Sequence, residues 1–389
     1  MEMTPHQRLL AALRGQEVDR LPWSPFLAYW WDFQPKAIQD RGQVAFLREI
    51  GADALLRGFI TAFTCSDVQG ISQYTSFREP IPGVEFHREE KGDLWRNEFN
   101  TPVGKLVSTA QLSPDGNTRF MMEHPVKRRE DYKILRYIVE RMVIKPDYAA
   151  VQEEIDQVGE GGLSVPLISP FLKTPFQALV EHYVGTGQLV YDLMDYPEEV
   201  EETLAVMSEK ALEAVRISVD SPAQTFITWE DSSTTNVSPG LFKRYIVPEL
   251  NRWGAEIHAA GKLFLHHACG HVRALLPAMA KECVDAIESL SPPPTGNVEI
   301  WDARQALGPE MGLIGGIEPV HFLNLALPEL RVYVEELIER MGVHRYILAN
   351  SDSCPPGVTV EKFRMVSEMV RQEDLTPGNQ KPDLQREKQ

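Results

Sequence analysis

Residues 263–271 read Leu263-Phe264-Leu265-His266-His267-Ala268-Cys269-Gly270-His271, an apolar run that passes directly into a cluster of imidazole and thiol donors. A buried strand that ends in metal-ligating or nucleophilic side chains is the arrangement of a (β/α)8 barrel, where the carboxyl ends of the strands carry the active site. The same pattern recurs near the end of the chain. Ile347-Leu348-Ala349-Asn350 leads into Ser351-Asp352-Ser353-Cys354-Pro355-Pro356-Gly357 and puts a second thiol, Cys354, on the loop after another strand.

Working outward from these two runs, short apolar segments alternate with longer amphipathic ones, as expected of a parallel sheet wrapped by helices. Eight segments read as strands: Leu21–Phe26, Ala52–Leu56, Ser164–Ile168, Phe226–Glu230, Lys262–His267, Ala286–Glu288, Met311–Gly315 and Tyr346–Asn350. The helices between them have ordinary signals. Pro197-Glu198-Glu199 and Ser238-Pro239 start two, and Gly261 and Gly342 stop two. The expected fold class is therefore α/β, a single TIM barrel over residues 1–372.

One stretch departs from the rhythm. Gly83–Glu123 alternates in polarity and carries turn signals at Lys91-Gly92-Asp93, Thr101-Pro102-Val103-Gly104 and Pro114-Asp115-Gly116-Asn117. It reads as an inserted β meander (83–123) near the barrel mouth, where strand-to-helix loops tolerate insertions. Residues 373–389 are polar and aperiodic and read as a frayed tail.

Composition narrows the partners. Of 389 residues, 39 are basic and 56 acidic, a formal charge of -17 that would repel nucleic acid and anionic lipid. No apolar run approaches the roughly 18 residues of a membrane span, and Met1–Gly15 is charged too early for a signal peptide, so a cytoplasmic protein is expected. Many barrels associate through their outer helices, so an oligomer is compatible with the sequence. The four cysteines, Cys65, Cys269, Cys283 and Cys354, lack the spacing of a disulfide scaffold. Cys65 and Cys283 read as small hydrophobes.

The donors at the strand ends are His267, Cys269 and Cys354, with Glu230 in Thr228-Trp229-Glu230-Asp231 favoured over Asp231 as a fourth. Zinc accepts sulfur, imidazole and carboxylate, and three protein ligands plus a labile position is the usual catalytic arrangement. Taken alone, His267 and Cys269 also fit a satisfied core histidine and a buried thiol. The second thiol at another strand end shifts the reading toward metal.

His-x-Cys-Gly after a fifth strand and Ser-Asp-x-Cys-Pro-Pro-Gly after an eighth resemble the uroporphyrinogen decarboxylase superfamily. Thr4–Gly15 with Val18–Pro22 is similar to that family's first helix and strand, and Gly315-Gly316-Ile317-Glu318 to its seventh strand end. The resemblance covers residues 4–372. Its thiolate-bearing pattern is similar to the corrinoid-dependent zinc methyltransferases, which implies Zn2+ held by His267, Cys269 and Cys354.

Decarboxylases of this superfamily carry an arginine-rich motif after the first strand. Here the chain reads Phe26-Leu27-Ala28-Tyr29-Trp30-Trp31-Asp32-Phe33, which cannot neutralise several carboxylates. The meander and Glu123-His124-Pro125-Val126-Lys127 look more like the methyltransferase component of O-demethylases.

That resemblance implies transfer of a methyl group from a methoxylated aromatic compound to the cobalt(I) of a corrinoid (cobalamin) carried by a small partner protein. Tyr29, Trp30, Trp31 and Phe171 are then candidate contacts for the ring, although buried aromatics are also common as core. His266, His271, Asp231 and Glu288 could steady the metal or deliver a proton. Two other readings compete: a methylcobamide:thiol transferase of the coenzyme M type, and a noncatalytic tetrapyrrole or corrinoid binder.

Overall fold

A computed structural model describes residues 2–70, 75–114, 116 and 118–372. The tail read over residues 373–389 lies outside the described residues.

Seven parallel strands form the central sheet, in the order β1 (Ala54–Thr61), β9 (Gly162–Leu167), β10 (Thr225–Trp229), β11 (Leu263–His267), β12 (Ala286–Leu290), β13 (Gly312–Ile317) and β14 (Tyr346–Asn350). The remaining strands lie between β1 and β9. They are β2 (Phe63–Ser66), β3 (Phe77–Glu79), β4 (Glu85–Lys91), β5 (Leu94–Thr101), β6 (Gly104–Leu112), β7 (Arg119–Glu123) and β8 (Ile144–Pro146).

The segment expected as the first barrel strand, Leu21–Phe26, makes only a single bridge, Trp23 with Leu348. The reason is chemical. Pro22 and Pro25 have no N–H to give, so a continuous ladder cannot form there. The segment still bridges the two edges of the sheet. Leu348 N donates to Pro22 O at 2.9 Å and Ser24 N to Leu348 O at 2.9 Å, while on the other side Asp53 N donates to Trp23 O at 2.8 Å. Leu55 N also donates to Ser24 Oγ at 3.1 Å. Arg8 and Arg20, ion-paired to Asp53 at 2.6 and 2.8 Å, fix this seam at the amino ends of the strands.

Strand parity sets which side chains enter the barrel. Leu55, Leu163, Val165, Leu167, Ile227, Leu263, Leu265, Ala286, Ile314, Ile347 and Ala349 share one inner cluster. Residues of opposite parity, such as Phe226, Phe264, Ile287 and Leu348, pack outward against the helices. Leu9, Leu10, Ala12 and Leu13 of the helix Pro5–Arg14 join the inner cluster and plug the barrel floor. That helix starts on Thr4, whose hydroxyl accepts from Gln7 N, and stops at Gly15, φ 69°.

The inserted segment forms a four-stranded antiparallel meander, β4-β5-β6-β7. It meets the barrel end at Tyr29, whose hydroxyl lies 3.1 Å from Thr118 Oγ1. No helix among the described residues is long and apolar enough to cross a membrane.

Candidate metal centre

The inward parity of β11 runs Leu263, Leu265, His267, so the last inward position delivers an imidazole to the barrel mouth. His266 points the other way. Its Nδ1 lies 2.7 Å from Glu282 Oε2 and its Nε2 3.0 Å from Ser232 Oγ, a fully buried structural setting. On β12 the corresponding inward residue is Glu288, and on β1 it is Arg57.

These three form one buried chain. His267 Nδ1 is 3.0 Å from Glu288 Oε2, and Glu288 Oε1 is ion-paired with the guanidinium of Arg57. Ser289 Oγ also sits 3.2 Å from His267 Nδ1. A carboxylate on Nδ1 holds the proton there and leaves Nε2 as the ligating nitrogen. Burial works against a charged Glu288, but Arg57 and His267 outweigh it and keep the carboxyl below the ordinary range.

Nε2 faces two further donors. Asp231 Oδ1 lies 3.7 Å from it and 3.5 Å from Cys269 Sγ. The ligand atoms of Asp231, His267 and Cys269 all fall within 4.8 Å of one another, a group that could hold a metal ion. The second oxygen of Asp231 is occupied by Lys173 Nζ at 2.7 Å, and the same ammonium pairs with Glu181. Burial would raise Asp231, yet Lys173 and His267 hold it below its usual value. Burial, followed by the charge of Asp231, pushes the Cys269 thiol up to about 12. A divalent cation reverses that balance, because a coordinating thiol gives up its proton.

Backbone strain marks the same rim. Asp231 (φ 46°), Leu172 (φ 70°) and Ser289 (φ 71°) are non-glycine residues in the left-handed region, just beyond or at the ends of β10, β9 and β12. Such conformations cost of order 1–3 kcal/mol each and persist where the surroundings demand them.

Two of the sequence-predicted donors are placed elsewhere. Glu230 has outward parity. It accepts from Thr174 N at 2.8 Å and from the Thr174 hydroxyl, and burial raises its carboxyl to about 7. The acid at the mouth is Asp231, which continues the inward parity of Ile227 and Trp229 and carries a positive φ, 46°. Cys354 is fully buried, with Sγ 3.8 Å from Pro355 O, and is not part of the donor group. From the same loop it is Asp352 whose Oδ1 comes within 4.0 Å of His267 Nε2.

A family model described as uroporphyrinogen decarboxylase (URO-D) matches residues 114–373, which include β9 to β14 and every donor named above. The chain belongs to the uroporphyrinogen decarboxylase family. Among solved structures, a methyltransferase from Methanosarcina mazei is similar, with 16% identity, 95% of this chain and 99% of that chain covered, and a TM-score of 0.61. A B12-independent methionine synthase from Shewanella sp. W3-18-1 aligns more loosely, with 12% identity, 91% and 98% covered, and a TM-score of 0.47. At these identities the likeness is one of fold. No curated protein matches the sequence.

For this member of the uroporphyrinogen decarboxylase family, the aromatic side chains at the mouth differ from those expected. Trp30 is buried between Phe46 and Phe363 and donates Nε1–H to Val358 O at 2.7 Å, so it is core. Phe171 is likewise fully buried. Trp31 packs on Phe46, and Tyr29 is exposed beside the meander. Phe26 lies beside the His267 ring, 6.1 Å between centroids, and 6.2 Å from Phe59, which in turn meets Trp229 at 6.3 Å. Trp229 lies over Gly58, φ 74°, where a Cβ would come within 2.6 Å of the indole. His271 is exposed, and its carbonyl accepts from Thr234 N at 2.9 Å.

Proposed function

We propose that this chain is a zinc-dependent methyltransferase that moves the methyl group of a methoxylated aromatic compound to the cobalt(I) of a small corrinoid protein. The observation that carries the reading is the convergence of Asp231, His267 and Cys269 at the barrel mouth. The donor set suits zinc, which combines imidazole, thiolate and carboxylate in catalytic sites. Within the chain's own family, decarboxylation of a polyanionic tetrapyrrole is disfavoured. The segment after Trp23 supplies Phe26, Tyr29, Trp30 and Trp31 in place of several arginines, and the buried Arg57 is already paired with Glu288.

In the proposed reaction the methyl–oxygen bond breaks with its electron pair staying on oxygen, the methyl carbon bonds to cobalt, and the phenolate takes a proton from water. When bound, zinc supplies Lewis acidity at the ether oxygen. The protein contributes position and charge. Glu288 fixes the orientation of His267, and Lys173 holds Asp231 so that Oδ1 faces the centre. Phe26, Phe59 and Trp229 present apolar faces beside the donors, on which an aromatic ring can stack.

The test is methyl transfer from a panel of methoxyarenes to chemically reduced cobalamin, followed in the visible spectrum with and without a zinc chelator. Methylcobalamin that forms only with metal present supports the reading. Absence of transfer from any ether, with thiol-dependent loss of methylcobalamin, would replace it with methyl transfer to a thiol.

A further inference from the structure

We propose that Cys283 is a reactive thiol on the amino-end face of the barrel, activated by His258, that exchanges with small disulfides to form a mixed disulfide. The site lies apart from the donor group, which occupies the carboxyl ends of the barrel strands.

Cys283 stands three residues before β12, in the turn that follows the short helix Leu276–Met279. That turn is clamped to one face of the helix Val247–Ala259, at positions 251, 254 and 258. Asn251 Oδ1 accepts from Cys283 N at 2.6 Å, and Asn251 Nδ2 donates to Lys281 O at 3.2 Å. Gly254 lets the turn come close: a Cβ there would lie 2.0 Å from Cys283 O and 2.9 Å from Cys283 Cβ. One helical turn further on, His258 meets the sulfur, with Nδ1 3.3 Å from Sγ.

The far side of the ring is fixed as well. His258 Nε2 lies 2.8 Å from Asp285 Oδ2, an oxygen that also accepts from Phe264 N at 2.7 Å. Asp285 is itself locked into the sheet, its N–H donating to Phe264 O and its carbonyl accepting from Gly312 N, each at 2.8 Å. A carboxylate on Nε2 holds the proton there and leaves Nδ1 to accept from the thiol. The hydrogen bond to Asp285 raises the imidazole above its ordinary value against partial burial, which makes it a better base toward Sγ–H. Burial, then the charge of Asp285, raises the thiol as well, and a thiolate of higher pKa is intrinsically the stronger nucleophile once its proton has passed to Nδ1.

Access separates Cys283 from the other thiols. Cys65 and Cys354 are fully buried, and Cys269 belongs to the donor group at the mouth. Cys283 is half-buried and the His258 side chain is 36% accessible, so a small molecule can approach the sulfur. The reading of Cys65 and Cys283 as small hydrophobes therefore fits Cys65 alone. With Nε2 taken by Asp285, the three side chains form a relay and do not converge on one point as metal ligands would. In the exchange, Sγ attacks one sulfur of the disulfide and its proton passes to Nδ1. The disulfide bond breaks with its electron pair on the leaving sulfur, which takes that proton from Nδ1. The products are the mixed disulfide at Cys283 and one free thiol, with no further oxidant required.

The probe is dithiodipyridine, a small neutral disulfide that releases a thiopyridone read by its absorbance. Labelling of the full-length protein is followed at each cysteine by peptide mass mapping, for wild type, His258→Ala and His258→Gln. We expect Cys283 to be labelled in wild type and to be freed again by dithiothreitol. Both variants should label at least about ten-fold more slowly at Cys283 with the rate at Cys269 unchanged, and added imidazole should restore the rate in His258→Ala. Removing a side chain that merely covered the sulfur would speed labelling instead. The assignment is overturned if Cys283 resists the probe in folded wild type, if either variant labels it as fast as wild type or faster, or if imidazole restores nothing.

Discussion

Glu288 and His267 stand on adjacent parallel strands, directly paired in register, with Oε2 3.0 Å from Nδ1 and Arg57 closing the chain behind them. Register pairing makes the contact rigid, since both side chains project inward from neighbouring positions of one sheet. Removing the charge of the carboxylate while keeping its shape should therefore weaken metal binding through His267. We expect Glu288→Gln to reduce zinc affinity by about 10- to 100-fold. Chelator competition measures it, and unchanged affinity would show that Glu288 serves only Arg57.

Lys173 makes a different kind of contribution. Its ammonium is almost fully buried and holds both Asp231 and Glu181. Lys173→Met leaves Asp231 beside Cys269 with only the His267 ring, 3.7 Å away, to offset its charge in the metal-free protein; breaking a fully buried pair costs about 3–5 kcal/mol, and with Asp231 39% and Glu181 43% accessible the lower end of that range is expected. A bound metal supplies the missing positive charge. Thermal melts should show a large drop for the variant in chelator and a partial recovery in saturating zinc. Equal losses with and without zinc would mean that the metal does not face Asp231.

How far the sequence discloses this site depends on parity. The apolar run Leu263–Leu265 and the outward Phe264 are enough to turn His267 inward and His266 outward, and the barrel follows from the alternation of such runs with helices. The same rule applied to Ile227 and Trp229 would have assigned Glu230 to the outer face, where Thr174 holds it. The same parity carries Asp231 to the inner face; what no period reveals is its positive φ, which depends on tertiary surroundings. The loop after β14 is harder still. Ser351-Asp352-Ser353-Cys354 offers a carboxylate and a thiol two residues apart, and the local sequence does not reveal that Asn350 and Cys354 are both pinned to Phe26 O. The aromatic run beginning at Tyr29 misleads for a related reason: the Trp30 indole N–H donates to Val358 O and its ring packs on Phe46 and Phe363, contacts not visible locally.

Two aromatic substitutions separate packing from recognition. Trp30→Ala empties a buried indole site and should cost about 3–5 kcal/mol in urea unfolding, with little effect on the KM of the methoxyarene in protein that remains folded. Phe59 is 36% exposed, beside Phe26 and Trp229. Phe59→Ala should change stability far less and raise KM several-fold. If Trp30→Ala raises KM while Phe59→Ala leaves it alone, the ring-binding face lies on the other side of the mouth.

His182, outside the donor group, supplies a pH signature. It sits in the π-turn Leu179–Tyr183 and is buried, and burial above all lowers its pKa from 6.5 to about 4, with Lys173 adding to the effect and Glu181 opposing it. Above pH 6.5 the imidazole is neutral in both folded and unfolded chains and contributes no pH dependence. Between 6.5 and 4 the unfolded chain takes up a proton that the folded chain refuses, so stability falls as the pH drops through that window and levels off below it. The full difference corresponds to about 3 kcal/mol. His182→Gln is neutral throughout and should lose less stability than wild type between pH 7 and pH 4.5, as measured by urea unfolding at each pH. Parallel losses in the two proteins would mean that His182 takes up its proton without unfolding, through water admitted to the π-turn.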